Sequence, residues 1–223
     1  MPPRALEPAG VALVDKPAGP SSFAIVAQIR RMTGARTGHA GTLDPFATGL
    51  LLILSGRATK LAPSLVGLDK RYLTEIDLTS TTTTGDPEGE AVDVHSAPVD
   101  LDLDSMRGEI ELPVPAASAV KIDGERSYRL HRRGVAVEMP LRRSMVYALD
   151  VVARSETTVT LDLRVSSGTY VRAIAEALGG HCRTLRRTEV GPFSVDDAVE
   201  PAAFEPGLLL SEADVLARIG PRA

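Results

Sequence analysis

The sequence of 223 residues lacks tryptophan and has a single cysteine, Cys182. One thiol can form neither an intrachain disulfide nor a cysteine-rich metal cluster, so we expect a cytoplasmic protein and not a disulfide-stabilised secreted one. The longest strongly apolar run, residues 50–54, is far shorter than the ~18 residues that a membrane span needs. The first eight residues include three prolines and a glutamate in place of the apolar segment of a signal peptide.

The charge is acidic in total but segregated along the chain. Lysine and arginine number 25 against 29 acidic residues, for a net charge of −4, which at first argues against a polyanionic partner. Residues 1–72 and 121–190 nevertheless carry +5 each, whereas residues 73–111 carry −10 and residues 191–223 carry −4. Because salt screens each charge beyond ~8–10 Å, an acidic total leaves room for a basic surface.

Arginine supplies 21 of the 25 basic residues, and four Arg-Arg pairs lie in the two basic stretches. The planar guanidinium suits phosphates and stacking on bases, although such pairs also occur on solvated helix faces. The pairs therefore favour a nucleic-acid partner without establishing one.

Hydrophobic periodicity predicts short strands with scattered helices. We expect strands over residues 11–14, 50–54, 72–78, 145–152, 159–165 and 185–190. A first helix is expected over residues 22–32, because Ser21 or Ser22 can cap its start, Gly34 can stop it, and Phe23, Val26 and Ile29 have helical spacing. Further helices are expected over residues 58–66, 125–133 and 169–178. Residues 36–49 and 113–117 read as connections, the threonine-rich residues 79–90 as a mobile or ligand-ordered loop, and residues 100–107 as a short acidic helix. The mixture predicts an α+β fold around a mixed, largely antiparallel sheet.

The loop over residues 38–49, G-H-A-G-T-L-D-P-F-A-T-G, carries Asp44 between glycines and before Pro45. Proline biases Asp44 away from helical geometry, and the glycines permit close approach of a ligand, so the loop could present an acid to a substrate. Asp-Pro also starts ordinary turns, and spacing alone leaves both interpretations open. His39 has no companions at metal-ligand spacing, so no metal site is expected.

Six segments occur in an order that is typical of one family. They are V-D-K-P-A-G at 14–19, the loop at 38–49, K-R-Y at 70–72, S-A-V-K-I-D-G at 118–124, S-G-T-Y-V-R-A-I-A-E-A-L-G at 167–179 and L-R-R-T-E-V-G-P-F at 185–193. In these motifs the chain strongly resembles the bacterial tRNA pseudouridine-55 synthases of the TruB family. The resemblance covers residues 11–193 and implies the pseudouridine synthase fold.

The resemblance also implies a reaction: the C1′–N1 bond of uridine 55 in the tRNA T-arm is broken and C1′–C5 is formed, without cofactor or metal. By position, Asp44 matches the essential carboxylate, and Arg172 matches an arginine that pairs with it and keeps it ionised. Tyr72 matches a tyrosine that stacks on the everted base and takes part in removing the C5 proton. Tyr170 matches a second pocket tyrosine, which would share one face with Arg172 if the backbone there is extended.

Two further positions follow from the same resemblance. Leu185 matches a residue that contacts the base, and His39 matches a histidine that supports the everted RNA loop by stacking. Burial statistics alone would leave core packing open for Leu185 and for both tyrosines.

Residues 121–145 lie where family members carry an insertion that clamps RNA. We expect Arg132, Arg133, Arg142 and Arg143 to contact phosphates of the tRNA T stem-loop, which would fix position and salt dependence but not base identity. Extrusion of the uridine costs a few kcal/mol, which these contacts and stacking must offset. The expected partner is tRNA, with neither DNA nor a membrane, and the expected state is a monomer.

The expected domain organisation is one catalytic domain over residues 1–193 and a short acidic tail over residues 194–223. Thirty residues after Phe193 would leave no room for the C-terminal RNA-binding (PUA-like) domain of many relatives. Residues 112–119 also depart from the family pattern, with alanine where an aromatic residue often stands.

Two alternatives stay open beside this function. One is the same chemistry on another RNA stem-loop. The other is a non-catalytic RNA-binding module that helps tRNA to fold, against which the intact Asp44, Tyr72 and Arg172 argue.

Overall fold

The computed structural model describes residues 8–94 and 101–220. Within these ranges the strands are β1 (Gly10–Lys16), β2 (Thr37–His39), β3 (Thr48–Ser55), β4 (Lys70–Asp77), β5 (Ser80–Thr82), β6 (Ala91–Val94), β7 (Gly108–Pro113), β8 (Lys121–Ile122), β9 (Glu125–Arg126), β10 (Leu141–Arg154), β11 (Thr158–Val165), β12 (His181–Val190) and β13 (Phe193–Ser194). The α-helices are α1 (Ser22–Thr33), α2 (Ala62–Val66), α3 (Ser127–Arg132), α4 (Val171–Ala177) and α5 (Glu212–Ile219). Short 3-10 helices cover Gly56–Leu61, Val195–Asp197 and Pro206–Leu208. None of the described helices has the length and apolar character that crossing a membrane requires.

The chain divides into two compact units. The first contains the residues up to Arg71 and those from Arg186 onward, and the second contains residues 72–185. The divisions fall inside β4 and β12.

The first unit has the sheet order β1-β3-β12. Strand β3 pairs antiparallel with β1, from Gly10↔Ser55 to Lys16↔Gly49, and parallel with β12. Residues 50–54 are each at most 1% exposed, because both faces of β3 are covered. The buried strand predicted from this apolar run is confirmed.

Helix α1 has the boundaries that its capping residues predict. The Ser21 side chain accepts a hydrogen bond from the Ala24 amide, and Gly34 ends the helix in the left-handed region at φ 65°. Its buried face contains Ile25, Val26 and Ile29. Phe23, which the helical spacing grouped with the apolar face, is instead 71% exposed.

Residues 194–220 pack within the first unit. Val199 forms a parallel bridge with Val14, and Leu210 an antiparallel bridge with Val11. Helix α5 buries Val215 completely in the core that includes Leu13 and Phe193. This segment is therefore integral to the core of its unit.

The second unit has the sheet order β4-β11-β10-β7. Strand β10 pairs antiparallel with both β11 and β7. Along β4, Tyr72, Thr74 and Ile76 are buried while Leu73 is exposed, which confirms the predicted alternation. The mixed, mostly antiparallel sheet with few helices confirms the α+β class.

Two predictions about local structure are wrong. Residues 79–90 contain β5 and a turn around the buried Asp86, whose Oδ1 accepts hydrogen bonds from Thr84 Oγ1 and from the Glu88 amide. Residues 101–107 form turns and not a helix: the Met106 amide donates to the Leu103 carbonyl and the Arg107 amide to the Asp104 carbonyl, three residues back in each case. Asp100 lies outside the described residues.

Three other helix predictions are correct in place but too long. The segment over residues 58–66 is a 3-10 turn followed by α2, residues 125–133 contain only α3, and residues 169–178 contain only α4.

Candidate active site

The loop that carries Asp44 is fixed immediately before the aspartate. Ser22 Oγ donates to the Leu43 carbonyl at 2.9 Å and accepts from the Leu43 amide at 2.8 Å. Ser22 is 1% exposed and begins α1, so this pair ties the loop to the start of a helix.

The same loop is fixed immediately after the aspartate. Lys16 at the end of β1 is fully buried, and its Nζ donates to the carbonyls of Pro45 at 3.1 Å, Ala47 at 2.7 Å and Pro17 at 2.9 Å. The Gly19 amide also donates to the Pro45 carbonyl at 2.8 Å. Asp44 therefore stands between two residues whose backbones are held by buried groups.

A third group fixes both ends of the loop. Arg187 on β12 is 1% exposed and donates to the Gly41 carbonyl at 3.0 Å and to the Leu50 carbonyl at 2.8 Å. A Cβ at Gly49, where φ is 100°, would lie 2.8 Å from the Arg187 backbone nitrogen, so only glycine fits this approach.

Asp44 itself is half-buried. Two buried cations, Lys16 and Arg187, donate hydrogen bonds to backbone carbonyls of its loop. The arrangement holds a carboxyl group on a rigid backbone, which suits a nucleophile or an electrostatic stabiliser.

His39 lies on β2 beside an aromatic side chain from α1. Its ring meets the exposed Phe23 edge-on, with centroids 5.1 Å apart. Burial, and then the charge of Arg187, lower the pKa of His39. Its Nδ1 is buried without a hydrogen-bond partner among the described residues, which also favours the uncharged ring. The pair forms a neutral stacking surface.

The remaining predicted pocket residues belong to the second unit. Tyr72 on β4 is 8% exposed and Leu185 on β12 is 7% exposed, whereas Tyr170 is half-buried. Tyr170 is the N-cap of α4 and Arg172 lies inside that helix, so the extended backbone on which a shared face depended is not present. Helix formation rotates Arg172 away from that alternation.

Arg172 is buried beside a carboxylate that sequence reasoning missed. Its Nη1 lies 3.4 Å from Asp86 Oδ2, with side chains 3% and 6% exposed, and it also donates to the carbonyls of Thr84 and Ala117. Asp86 was hidden in a threonine-rich segment that looked like a mobile loop. The T-G-D sequence at 84–86 was the available signal for a turn with a fixed acid.

The four arginines of the expected clamp have three kinds of surroundings. Arg133 forms a two-point ion pair with Glu125 at 2.7 and 2.8 Å, and Arg143 Nε donates to Glu111 at 3.1 Å. Arg132 lies over the ring of Tyr128 at 5.6 Å from its centroid, and Arg129 lies at 5.9 Å. Arg142 is exposed on β10.

The predicted site residues are thus divided between the units. His39 and Asp44 belong to the first unit, and Tyr72, Tyr170, Arg172 and Leu185 belong to the second. The described residues hold no group of three or more acidic, histidine or cysteine side chains that could bind a metal ion.

Comparisons with known proteins give one family. A family profile described as TruB family pseudouridylate synthase (N terminal domain) matches residues 30–171. The chain is 43% identical over 218 residues to the tRNA pseudouridine synthase B of Mycobacterium sp. (strain KMS), covering 89% of this chain and 73% of the relative. It is 41% identical over 224 residues to the protein of the same name from Leifsonia xyli subsp. xyli (strain CTCB07), covering 92% and 74%.

Solved structures show the same fold. A chain of a Cbf5-Nop10-Gar1 complex matches with a TM-score of 0.64 and 30% identity, over 85% of this chain and 51% of that one. A chain of an H/ACA RNP bound to a substrate RNA containing 2′-deoxyuridine matches with a TM-score of 0.62 and 25% identity, over 87% and 51%. The chain thus spans about half the length of these two solved chains.

Proposed function

The chain belongs to the TruB family of pseudouridylate synthases, and from that premise we propose that it isomerises uridine 55 in the T-arm of tRNA to pseudouridine. The relatives that are 41–43% identical to it over the aligned residues are named tRNA pseudouridine synthase B. The observation that carries the proposal is the fixation of Asp44: Ser22 holds the residue before it, and Lys16 holds the residue after it.

The chemistry needs an anion at a fixed place. The C1′–N1 bond of the uridine breaks, the base turns, and C1′–C5 forms while C5 loses a proton and N1 gains one. Charge that develops on the sugar is stabilised by a carboxylate that does not have to reorganise. We assign this role to Asp44 because the backbone on both sides of it is held by hydrogen bonds from buried groups.

The other pocket residues act on the base. We propose that Tyr72 stacks on the everted uracil and takes part in removing the C5 proton. In the same proposal, Tyr170 and Leu185 form the remaining pocket wall. Arg172 is assigned to Asp44 as the partner that keeps it ionised. Its guanidinium is already oriented within its own unit by Asp86, Thr84 and Ala117.

The RNA itself binds outside the pocket. His39 with Phe23 supplies a stacking surface, and α3 supplies Arg129 and Arg132 on the Tyr128 ring. Arg133 and Arg143 are weaker candidates for phosphate contacts than Arg132 and Arg142, because they already form ion pairs with Glu125 and Glu111.

Tritium release tests the proposal. Transfer RNA labelled at C5 of uridine should lose tritium with the native protein, and a tRNA with cytidine at position 55 should not. Asp44→Asn should abolish release. Asp104→Asn, which changes a carboxylate that is 97% exposed, is the matched control and should act like the native protein.

The alternatives give different results in the same assay. Equal, negligible release by the native protein and Asp44→Asn, together with tight tRNA binding, would identify a non-catalytic RNA-binding module. Release from tRNA that lacks uridine 55, with pseudouridine mapped to another stem-loop in cellular RNA, would move the reaction to a different substrate.

A further inference from the structure

Two neighbouring arginines on β10 have different surroundings. Arg143 pairs across to Glu111 on β7 and donates to its carboxylate. Arg142, opposite Leu112, makes neither a hydrogen bond nor an ion pair within residues 8–94 and 101–220, and its guanidinium rests on Gly168. The exposed side chain thus has N–H donors without an acceptor among the described residues, and it packs against the backbone at Gly168.

Gly168 lies in the turn that leads to the pocket. Its φ of 80° favours glycine, and a Cβ there would lie 2.7 Å from Cζ and 3.0 Å from Nε of Arg142. The turn is attached to β10, because the Ser166 amide donates to the Met145 carbonyl at 2.8 Å and Ser166 Oγ accepts from the Met145 amide at 2.9 Å.

The turn continues directly into catalytic positions. Thr169 Oγ1 donates to the Ser166 carbonyl at 2.9 Å, Tyr170 caps α4, and Arg172 follows in the first turn of that helix. Any displacement at Gly168 is transmitted over two residues to Tyr170 and over four to Arg172, both of which need fixed positions.

We infer that Arg142 is a positioning residue, which binds a phosphate of the substrate RNA and thereby presses on the Gly168 turn to hold Tyr170 and Arg172 in place. The inference rests on the proposed function, since it assigns how RNA binding is coupled to the pocket of the same site. The planar guanidinium can cover the glycine with one part and bind a phosphate with two donors. A lysine would keep the charge but could not cover the turn.

Substitution at Arg142 separates the two roles. Arg142→Met should lower the affinity for tRNA and reduce the slope of log affinity against log salt by about 1, and it should also lower kcat by about 10- to 100-fold through misplacement in the pocket. Arg142→Lys should restore affinity to within about twofold of the native value because the charge returns, while kcat stays low. Native kcat in Arg142→Lys, or in Arg142→Met, overturns the inference.

Two further variants complete the test. Arg154→Met, which removes an exposed arginine from the other end of β10, should leave both kcat and affinity unchanged. Gly168→Ala should displace the guanidinium and lower kcat as Arg142→Met does, with native circular dichroism as proof of folding. A folded Gly168→Ala protein with native kcat contradicts the inference.

A readout without turnover distinguishes this inference from the proposed function. If the native protein releases no tritium from tRNA, the proposed function fails. Hydrogen exchange of amides 168–174 in the RNA-free protein still tests the packing: it should be faster in Arg142→Met than in the native protein and in Arg154→Met. Unchanged exchange shows that Arg142 does not hold the turn.

Discussion

Ser22 Oγ is hydrogen-bonded to both the amide and the carbonyl of Leu43, at 2.8 and 2.9 Å. A single hydroxyl thereby binds both backbone polar groups of Leu43, the residue directly before Asp44. Its neighbour Ser21 is an ordinary N-cap, which accepts from the Ala24 amide at 3.2 Å. Adjacent serines thus have different structural roles: Ser22 binds the residue before Asp44, and Ser21 caps α1.

Ser22→Ala should lower turnover more than stability. The substitution leaves the Leu43 amide and carbonyl buried without a partner, which lowers the free energy of unfolding by about 1–3 kcal/mol. It also releases the Asp44 loop, so we expect kcat to fall about tenfold or more. Urea unfolding and tritium release measure the two effects. Ser21→Ala should cost about 1 kcal/mol with native kcat. Equal kcat in both variants would remove Ser22 from the positioning of Asp44.

Lys16→Met should destabilise the first unit. Removal of the buried ammonium takes a donor from the carbonyls of Pro17, Pro45 and Ala47, of which Pro45 keeps the Gly19 amide, and should lower the free energy of unfolding by about 3 kcal/mol. Lys60→Met, at an exposed lysine, is the control and should change it by less than about 0.5 kcal/mol. Equal urea midpoints for the two variants would show that the carbonyls find other donors.

Arg172→Lys should retain RNA binding and lose most turnover. A point charge cannot reproduce a planar fork that donates to Thr84 and Ala117 while facing Asp86, so we expect a loss in kcat of about 100-fold. Single-turnover rates and filter binding separate the two quantities. The control is Arg183→Lys, at an exposed arginine paired with Glu75, which should keep native kcat. Near-native turnover would remove Arg172 from the catalytic residues.

Phe23→Ala should weaken RNA binding without affecting folding. The ring is 71% exposed and stands against His39, so its removal takes away a stacking surface worth about 1–3 kcal/mol per base and should lower affinity about fivefold or more. Met32→Ala, at a 40% exposed side chain on the same helix, is the control for lost apolar surface. Binding that is equally strong in both variants would contradict a role for Phe23.

Lys70 should make stability depend on pH in the alkaline range. Burial, and then the charge of Arg187, lower the pKa of Lys70 to about 8, against a smaller opposite effect of Asp69. The folded protein therefore prefers the neutral amine more than the unfolded chain does, in which the pKa is about 10.4. The free energy of unfolding consequently rises with pH between about 8 and about 10.4, and this contribution is lost as pH falls through about 8. Urea unfolding at pH 8 and pH 10 should show that growth in the native protein and not in Lys70→Met, and carbon NMR of the lysine side chain should show a midpoint near pH 8. A midpoint near 10.4 would contradict the lowered pKa.

Elements with a strong local signal were predictable from the sequence. The apolar run of β3, the alternation of β4 and the caps of α1 each combine period and boundary residues, and the structure has all three. The threonine-rich segment before Asp86 carried no such period. Its order comes from side-chain hydrogen bonds and burial of the acid beside Arg172, which depend on residues far along the chain.

The sequence offers candidate residues for the site but does not reveal the groups that support them. The loop around Asp44 has a motif, whereas Ser22 and Arg187 are an ordinary serine and an ordinary arginine until the fold brings them to Leu43 and Gly41. Tyr170 and Arg172 stand in a motif of the sequence, but their geometry follows from the start of α4, which alternation alone could not locate.

The hydrogen bond between Arg187 and the Gly41 carbonyl joins residues 146 positions apart. Proteins are synthesised at about 5–20 residues per second, so about 7–30 s pass between the synthesis of Gly41 and that of Arg187, whose side chain completes the support of the Asp44 loop. The second unit is one continuous segment, residues 72–185, and all of it is synthesised before Arg187. The support of the Asp44 loop at Gly41 therefore depends on a side chain that leaves the ribosome after the whole of the other unit.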